Sequence, residues 1–502
     1  MDEPKLITIN KLVFFPIFCL IIAVLSSGFY ERDLWFADEP REAGIAARMV
    51  DEGTYAVPKL GSNYFVEKPP LYYWASSALI LLNDNRLSIS DILRLGSVFW
   101  GIGILLLTYW LGHIWAKQIK AVSPLHDVTS IPFLAVILLA ACNGFLTNAL
   151  TIRTDIVLTF FIVLTTIGFC ESYLNKKAWG SWLVGLGLAG GFLAKGIIGI
   201  VLSGFIWLAL LPFFIQLWRD RSSSLLFIKQ YICFSLLLCV IPAGIWIYAL
   251  INQGGDAAWN MWFVQNTLKR FTGGGHLGHE ESNLLFYVEP FLTYTLPWGF
   301  IWIVLLLINY KVICTDKIMR SLQLCTILPL IFLCIATTKR AVYLLPLLPL
   351  FALSFTFLWA TFQNDKWLNY GLKAFSYVFL ILIISIAILS CLPSPILPTE
   401  FASLYNKIAF ISPWVAACLL ISVLFYFFYF NNKPMLQLSQ ILLFVVLIAN
   451  LIVFPKQNPE NSRHEQQAQL KEKSAAQWAA TQDEGLTEGL QGYLYTYHKY
   501  IP

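Results

Sequence analysis

The chain has 502 residues, of which 58% are hydrophobic and 13% are charged, and its mean hydropathy is +0.67. A soluble protein of this size cannot cover that much apolar surface, so the composition indicates a membrane protein. The formal net charge of +5 is spread over short loops and forms no basic face, which excludes nucleic acid as an expected partner.

Apolar runs along the chain predict an all-α, polytopic membrane protein. The first run follows Lys5 and Lys11 and ends at charged residues without a clear cleavage site, which favours a signal anchor. A helix that spans a bilayer needs about 20 apolar residues. The candidate runs are 11–29, 70–84, 92–114, 130–148, 157–175, 179–195, 196–217, 228–250, 286–309, 321–337, 342–362, 373–393, 411–430 and 437–455.

The short basic loops decide which of these fourteen runs cross the membrane. If the shortest run, 70–84, lies along the membrane or dips into it, about 13 spans remain, and every short loop that carries Lys or Arg lies in the cytoplasm. The N-terminus is then cytoplasmic and the C-terminus lies on the outer side. The expected organisation is a transmembrane domain over 1–455, with outer loops at 30–91 and 251–285, and a short outer tail over 456–502.

The outer side collects most of the residues that could carry chemistry. The first outer loop alone holds ten charged residues between positions 38 and 68, although the chain as a whole is poor in charge. Asp155, Lys195, the 251–285 loop and Lys339 are predicted on the same side. Polar groups that are distant in sequence but gather at one membrane face indicate a site there.

Asp38 begins a predicted helix over 38–52, with Pro40 in its first turn and Gly53 as its stop. The Asp38 carboxylate suits either a helix cap or a general base that acts on a hydroxyl. Arg41 follows three residues later on the same helix face, where it can bind an anion or pair with Asp38.

Three further ionisable residues at predicted membrane boundaries each have two interpretations. Lys68 is a compact cation suited to a phosphate, and equally to lipid headgroups. Asp155 is a candidate acidic site residue, or it forms an interfacial pair with Arg153, because an unpaired carboxylate is costly at that depth. Lys195 is a candidate site cation, or it extends its ammonium to the interface from an apolar segment.

Two more groups complete the candidate site. Lys339 and Tyr343, at an outer membrane edge, suit a lipid-linked phosphate or an ordinary interfacial anchor. His276 and His279 are three residues apart and could bind zinc if a third ligand, for which Glu67 is the candidate, approaches them.

Residues 38–74 resemble the first outer loop of bacterial GT-C glycosyltransferases, relatives of the protein O-mannosyltransferases and of the lipid A aminoarabinose transferase. The stretch reads DEPREAGIAARMVDEGTYAVPKLGSNYFVEKPPLYYW. Other stretches follow in the family's order within about residues 10–360: Arg153-Thr154-Asp155, Leu193-Ala194-Lys195-Gly196, Lys269-Arg270-Phe271, Leu296-Pro297-Trp298, and Lys339 through Tyr343 to Pro346.

The resemblance implies a GT-C membrane fold with juxtamembrane helices in the first periplasmic loop. It also implies an undecaprenyl-phosphate-linked sugar donor and transfer on the periplasmic side of the bacterial inner membrane. Asp38 matches the family's catalytic aspartate and Asp155 its second acidic position. The other matches are Arg41, Lys68, Lys195 and Lys339 at positions that bind the donor phosphate, Tyr343 at an aromatic position beside them, and Glu67, His276 and His279 at the zinc cluster.

The expected function is therefore sugar transfer to lipid A or core lipopolysaccharide, with inversion of the anomeric carbon. A protein hydroxyl is the alternative acceptor. A transporter of a lipid-linked sugar and an inactive partner subunit are alternatives of a different class. Two departures from the aminoarabinose transferase, Glu42 in place of its Tyr and an extra residue before Glu67, leave the sugar and the acceptor open.

Overall fold

The computed structural model describes the N-terminal three quarters of the chain and short pieces beyond it. The described residues are 11–27, 34, 38–60, 63–84, 86–122, 130–219, 224–269, 281–362, 369–378, 380–381, 438–439 and 441–443. The predicted span 411–430, the tail 456–502, and most of the predicted spans 373–393 and 437–455 lie outside them. The count of 13 spans and the periplasmic tail therefore stay predictions.

The first described part surrounds the charged loop. Helix α1 (Lys11–Ser27) is followed by α2 (Asp38–Glu52), a hairpin of β1 (Lys59–Leu60) and β2 (Asn63–Tyr64), and α3 (Leu71–Asn83). The strands are antiparallel, with Lys59 opposite Tyr64 and Leu60 opposite Asn63. The all-α expectation is thus right apart from this two-residue ladder, which turns the chain between two short helices.

The bounds of α2 agree with those predicted from the local sequence. The helix begins at Asp38 and ends at Glu52, as the sequence predicts. Gly53 has a φ of +64°, a left-handed conformation that a residue without Cβ adopts at no steric cost and that ends many helices. α3, in the predicted 70–84 run, has 13 residues, too few to cross a bilayer as a helix.

Long apolar helices form the body of the molecule. They are α4 (Ile89–Val122), α5 (Ile131–Ala140), α6 (Asn143–Ala149), α7 (Thr154–Tyr173), α8 (Gly180–Lys195), α9 (Ile197–Arg219) and α10 (Ser224–Trp259), the last with a non-helical residue at Gly255. α7 is the most deeply buried of the first four long spans. α8 packs closely on it because Gly187 has no side chain, since a Cβ there would lie 2.2 Å from Thr165 Oγ1.

The remaining described helices close the bundle. A π-helix (Asn260–Leu268) continues α10, and α11 (Val288–Thr295), α12 (Trp298–Ile308), α13 (Tyr310–Thr315) and α14 (Lys317–Ile335) follow it. A 3₁₀-helix (Ala341–Leu347) then leads into α15 (Leu348–Phe362).

Two predicted spans are bent rather than straight. The 130–148 run forms α5 and α6 at 69° to each other, and the 286–309 run forms α11 and α12 at 111°. Among the described residues, six helices are long and apolar enough to cross a membrane, or eight if each bent pair counts as one span. The chain is therefore a multi-pass membrane protein.

Candidate functional site

Asp38 lies at the start of α2 within reach of three arginines. Its Oδ1 accepts a hydrogen bond from Arg41 Nη2 at 2.9 Å, and its Oδ2 accepts one from Arg340 Nη2 at 3.0 Å. Arg153 Nη2 lies 3.3 Å from the same Oδ2. Burial alone would raise the pKa of Asp38, but the charges of Arg41, Arg340 and Arg153 and that of Lys68 outweigh it and lower the pKa to about 2. The carboxylate is thus ionised at neutral pH.

This arrangement decides one alternative that the sequence left open and adds one contact that the sequence did not predict. Arg153 contacts Asp38, while Asp155 accepts a hydrogen bond from Lys195, so the alternative of an Arg153–Asp155 pair is not what the structure contains. Sequence reasoning did not find Arg340 as a partner of Asp38. The two residues are 302 positions apart, and no local pattern connects them.

Glu42, one turn after Asp38, is a buried carboxylate that binds two of the predicted donor-binding cations. It accepts hydrogen bonds from Lys68 Nζ at 2.6 Å, Arg41 Nη2 at 2.9 Å and Tyr73 Oη at 2.7 Å. Burial would raise the pKa of Glu42, but the charges of Lys68 and Arg41 lower it. Arg41 and Lys68 are therefore held side by side by one shared counter-charge, a role that the sequence did not suggest.

A second buried pair fixes α2 to the helical bundle. Arg94 of α4 donates from Nε and Nη2 to the Glu39 carboxylate, at 3.1 and 2.6 Å. The backbone N–H of Ile152, just before α7, donates to Glu39 Oε1 at 3.0 Å. One side chain next to Asp38 thus connects α2, α4 and the segment that carries Arg153.

A cavity of about 300 Å³, here called the site cavity, brings together five of the predicted site residues. Lys68, Lys195, Asp155, Tyr343 and Glu67 all line it. Lys195 donates to Asp155 Oδ1, and its ammonium lies 4.3 Å from the centroid of the Tyr343 ring, a cation–π contact. The apolar part of the wall includes Leu158, Ile198, Leu202, Phe332, Leu333 and Ile335.

Lys339 and Arg340, neighbours in the chain, have different surroundings. Lys339 is buried and donates to the backbone carbonyl of Glu281. The Arg340 guanidinium reaches Asp38, and its backbone N–H donates to the Tyr287 hydroxyl at 3.3 Å. Neither Lys339 nor Arg340 is among the described residues that line the site cavity. The assignment of Lys339 to a donor phosphate stays a prediction. Of these two neighbours, Arg340 is the one that contacts Asp38.

The zinc prediction depends on two histidines outside the described residues, His276 and His279. In the described part of the chain, no group of three or more His, Cys, Asp or Glu side chains could hold a metal ion. Glu67, the third candidate ligand, lines the site cavity.

Comparisons with known proteins give concordant results. Residues 57–253 match the family model described as dolichyl-phosphate-mannose-protein mannosyltransferase. The undecaprenyl phosphate-alpha-4-amino-4-deoxy-L-arabinose arabinosyl transferase of Shewanella sediminis is 27% identical over 353 residues, which are 69% of this chain and 58% of that protein. The enzyme of the same name from Erwinia tasmaniensis is 25% identical, over 63% of this chain and 53% of that protein. The chain thus spans little more than half the length of these relatives.

A solved structure shares the fold. The crystal structure of ArnT from Cupriavidus metallidurans bound to undecaprenyl phosphate superimposes with a TM-score of 0.71 at 14% identity, and the match covers 96% of this chain and 84% of that one. The fold is therefore that of the GT-C membrane proteins.

Proposed function

We propose that the chain is a polyprenyl-phosphate-dependent glycosyltransferase of the GT-C superfamily, because it is similar to aminoarabinose transferases and to the protein mannosyltransferase family model and shares the fold of ArnT. The donor is a sugar carried on undecaprenyl phosphate, and the transfer takes place on the periplasmic side of the inner membrane. The observation that carries the proposal is a carboxylate, Asp38, that is held by arginines and lies within the electrostatic influence of Lys68, which with Lys195 lines a cavity with apolar walls.

The site cavity has the chemistry that a lipid-linked phosphate requires. Its apolar wall suits the first units of a prenyl chain, and Lys68 and Lys195 supply positive charge for a phosphate at one place on that wall. Arg41 adds a guanidinium next to Lys68, since Glu42 binds both. These cations stabilise the charge that develops on the phosphate as it leaves the sugar.

Asp38 is the proposed catalytic base. An acceptor hydroxyl attacks the anomeric carbon, its proton passes to the Asp38 carboxylate, and the bond between that carbon and the phosphate oxygen breaks, releasing undecaprenyl phosphate. A carboxylate with a pKa of about 2 is a weak base in the free site. A donor phosphate that draws Arg41 and Arg340 towards itself would weaken their contacts with Asp38 and raise its basicity. One displacement of this kind inverts the anomeric carbon, and Asp155, bound to Lys195, orients that cation.

The proposed acceptor is lipid A or core lipopolysaccharide, which the resemblance of residues 38–74 to the lipid A aminoarabinose transferase implies, and the similar proteins are named for the transfer of aminoarabinose from undecaprenyl phosphate. A Ser or Thr hydroxyl of a secreted protein is the second candidate, favoured by the mannosyltransferase family model over residues 57–253. No step above depends on a zinc ion. If Glu67 binds one with His276 and His279, a chelator will reduce transfer.

Mass spectrometry of lipid A and lipopolysaccharide from a deletion strain tests the function. The strain is complemented with the wild-type gene, with Asp38→Ala or with empty vector. We expect a fixed sugar mass that is lost on deletion, restored by the wild type and absent with the expressed variant. Identical lipid spectra in all three strains would contradict the lipopolysaccharide acceptor, and a gain of sugar on secreted proteins would then support the second candidate.

A further inference from the structure

One wall of the site cavity is formed by the π-helix Asn260–Leu268, which contributes Trp262, Asn266 and Thr267. In a π-helix the hydrogen bonds connect residues five apart, so residues four and five apart share a face. Two side chains form hydrogen bonds with the same spacing of five residues. Asn266 Nδ2 donates to the Met261 carbonyl at 2.9 Å, and Thr267 Oγ1 donates to the Trp262 carbonyl at 3.0 Å. The widened turn thus presents Trp262, Asn266 and Thr267 together to the cavity.

Asn266 has an unused hydrogen-bond acceptor. Its residue is only 6% exposed, and its Nδ2 donates to the carbonyls of Met261 and Val66. Its Oδ1 is buried and has no hydrogen-bond partner among the described residues. The side-chain amide of Asn266 cannot be flipped, because Oδ1 would then lie next to two carbonyl oxygens and could donate to neither. An unsatisfied buried acceptor is destabilising, and a ligand that donates a hydrogen bond to it would remove this cost.

The wall that carries Asn266 is rigid. The Trp262 ring packs against Trp246 at 4.8 Å and Phe192 at 6.0 Å between centroids. Trp246 Nε1 donates to the Ala56 carbonyl at 3.0 Å, which fixes this cluster to the segment between α2 and β1. These contacts hold the π-helix that carries Asn266 in a fixed position, and a preorganised wall favours selective recognition.

The contact between Asn266 and Val66 also indicates which part of the sugar-donor lipid would lie next to Asn266. Val66 is two residues before Lys68, a proposed phosphate ligand, and Glu67 between them lines the same cavity. In a polyprenyl-phosphate donor the sugar is bonded directly to the phosphate. A group that lies close to a proposed phosphate ligand is therefore placed to meet the sugar.

We infer that Asn266 is a specificity-determining residue whose Oδ1 accepts a hydrogen bond from a hydroxyl or amino group of the donor's sugar. The inference rests on the proposed function and extends it, because it assigns the π-helical wall to the glycosyl group. A site built to accept such a bond discriminates against a donor that cannot supply it, since the buried acceptor then stays unpaired.

Binding measurements on the purified full-length chain test the inference. The probes are undecaprenyl phosphate without sugar and the same lipid linked to 4-amino-4-deoxy-L-arabinose or to mannose. Asn266→Leu removes the acceptor at similar volume, and Asn266→Ala removes it without adding bulk. Asn309→Leu is the matched control, because Asn309 also donates to a backbone carbonyl, that of Leu305, and does not line the site cavity.

We expect both Asn266 variants to lose about 5- to 30-fold in affinity for at least one glycosylated lipid. Their affinity for the bare lipid should stay within about twofold of wild type, and Asn309→Leu should change neither. The inference is overturned by an unchanged preference, by an equal loss for all three lipids, or by a loss in the Leu variant alone. A wild-type chain that binds none of the lipids would instead refute the proposed function, and the inference with it.

Discussion

The buried pair of Glu39 and Arg94 leads to a prediction about how α2 is held. The Arg94 side chain is fully buried and that of Glu39 is 2% exposed, with Nη2 and Oε2 2.6 Å apart. Arg94→Met keeps most of the apolar stem and removes the guanidinium, so the Glu39 carboxylate loses its buried counter-charge. Removing one partner of such a pair typically costs about 3–5 kcal/mol, and we expect a loss of unfolding free energy in that range.

A compensating change separates the lost charge from lost packing. In the double variant Glu39→Gln/Arg94→Met neither side chain of the pair carries a charge, and the amide oxygen of Gln can accept a hydrogen bond from the Ile152 N–H, which donates to Glu39 in the wild type. Neutral replacement of a buried ion pair is often close to isoenergetic. We therefore expect the double variant to be more stable than Arg94→Met and to lie within about 1–2 kcal/mol of wild type.

Denaturant titration of the detergent-solubilised protein measures both values. Arg48→Met is the control, because Arg48 pairs with Glu52 on the same helix but with both side chains partly exposed, and such pairs contribute at most about 1 kcal/mol. The reasoning is refuted if Arg94→Met costs no more than this control, or if the double variant is as unstable as Arg94→Met.

Three further predictions concern the reaction. Arg340→Gln should slow transfer at least about tenfold, whereas Lys339→Met should lower the thermal stability more than the rate, because Lys339 binds a buried carbonyl; equal effects on rate would contradict this. Because the pKa of Asp38 is lowered to about 2, the wild-type carboxylate is ionised above about pH 3. The transfer activity of the wild type should therefore be lost only as the pH falls through that pKa. Arg340→Gln raises the pKa, so the acid limb of kcat/KM should move to higher pH, and an unmoved limb would argue against the Asp38 base. NMR of the product should show an inverted anomeric carbon, and retention would exclude the single displacement.

Local chemistry made the bounds of α2 predictable. The start and end of α2 follow from an acidic first turn, Pro40 and Gly53, all within 16 residues, and the structure confirms them. The bends in the 130–148 and 286–309 runs were not predicted, because a run of apolar residues reports length but not direction. Pro297 was a usable signal, since the residue before a proline disfavours helix, and α11 ends at Thr295.

The site was only partly accessible from sequence. Charges at predicted membrane boundaries pointed to Lys68, Asp155 and Lys195, and the structure brings all three to one cavity. The contact between Arg41 and Asp38, three residues apart, was one of the two predicted alternatives, and the structure contains it. The contacts of Asp38 with Arg153 and Arg340 and the bridging role of Glu42 could not be found this way. They depend on contacts between residues 26 to 302 positions apart, which arise from the packing of helices and not from a local pattern.

The π-helical wall was equally hidden. The sequence gives Asn266 as one polar residue in a mixed segment, and no motif distinguishes it. Its significance depends on the i to i+5 register and on the contact with Val66, 200 residues away.

The most direct test of the account is release of undecaprenyl phosphate from a glycosylated undecaprenyl-phosphate donor by the purified protein, with acceptor lipid A present. Wild type and Asp38→Asn are compared, and binding of bare undecaprenyl phosphate checks that the variant is folded. We expect the variant to bind this lipid but to release it from the donor at least about 100-fold more slowly. Release at the wild-type rate by Asp38→Asn would contradict the claim that Asp38 is the catalytic base.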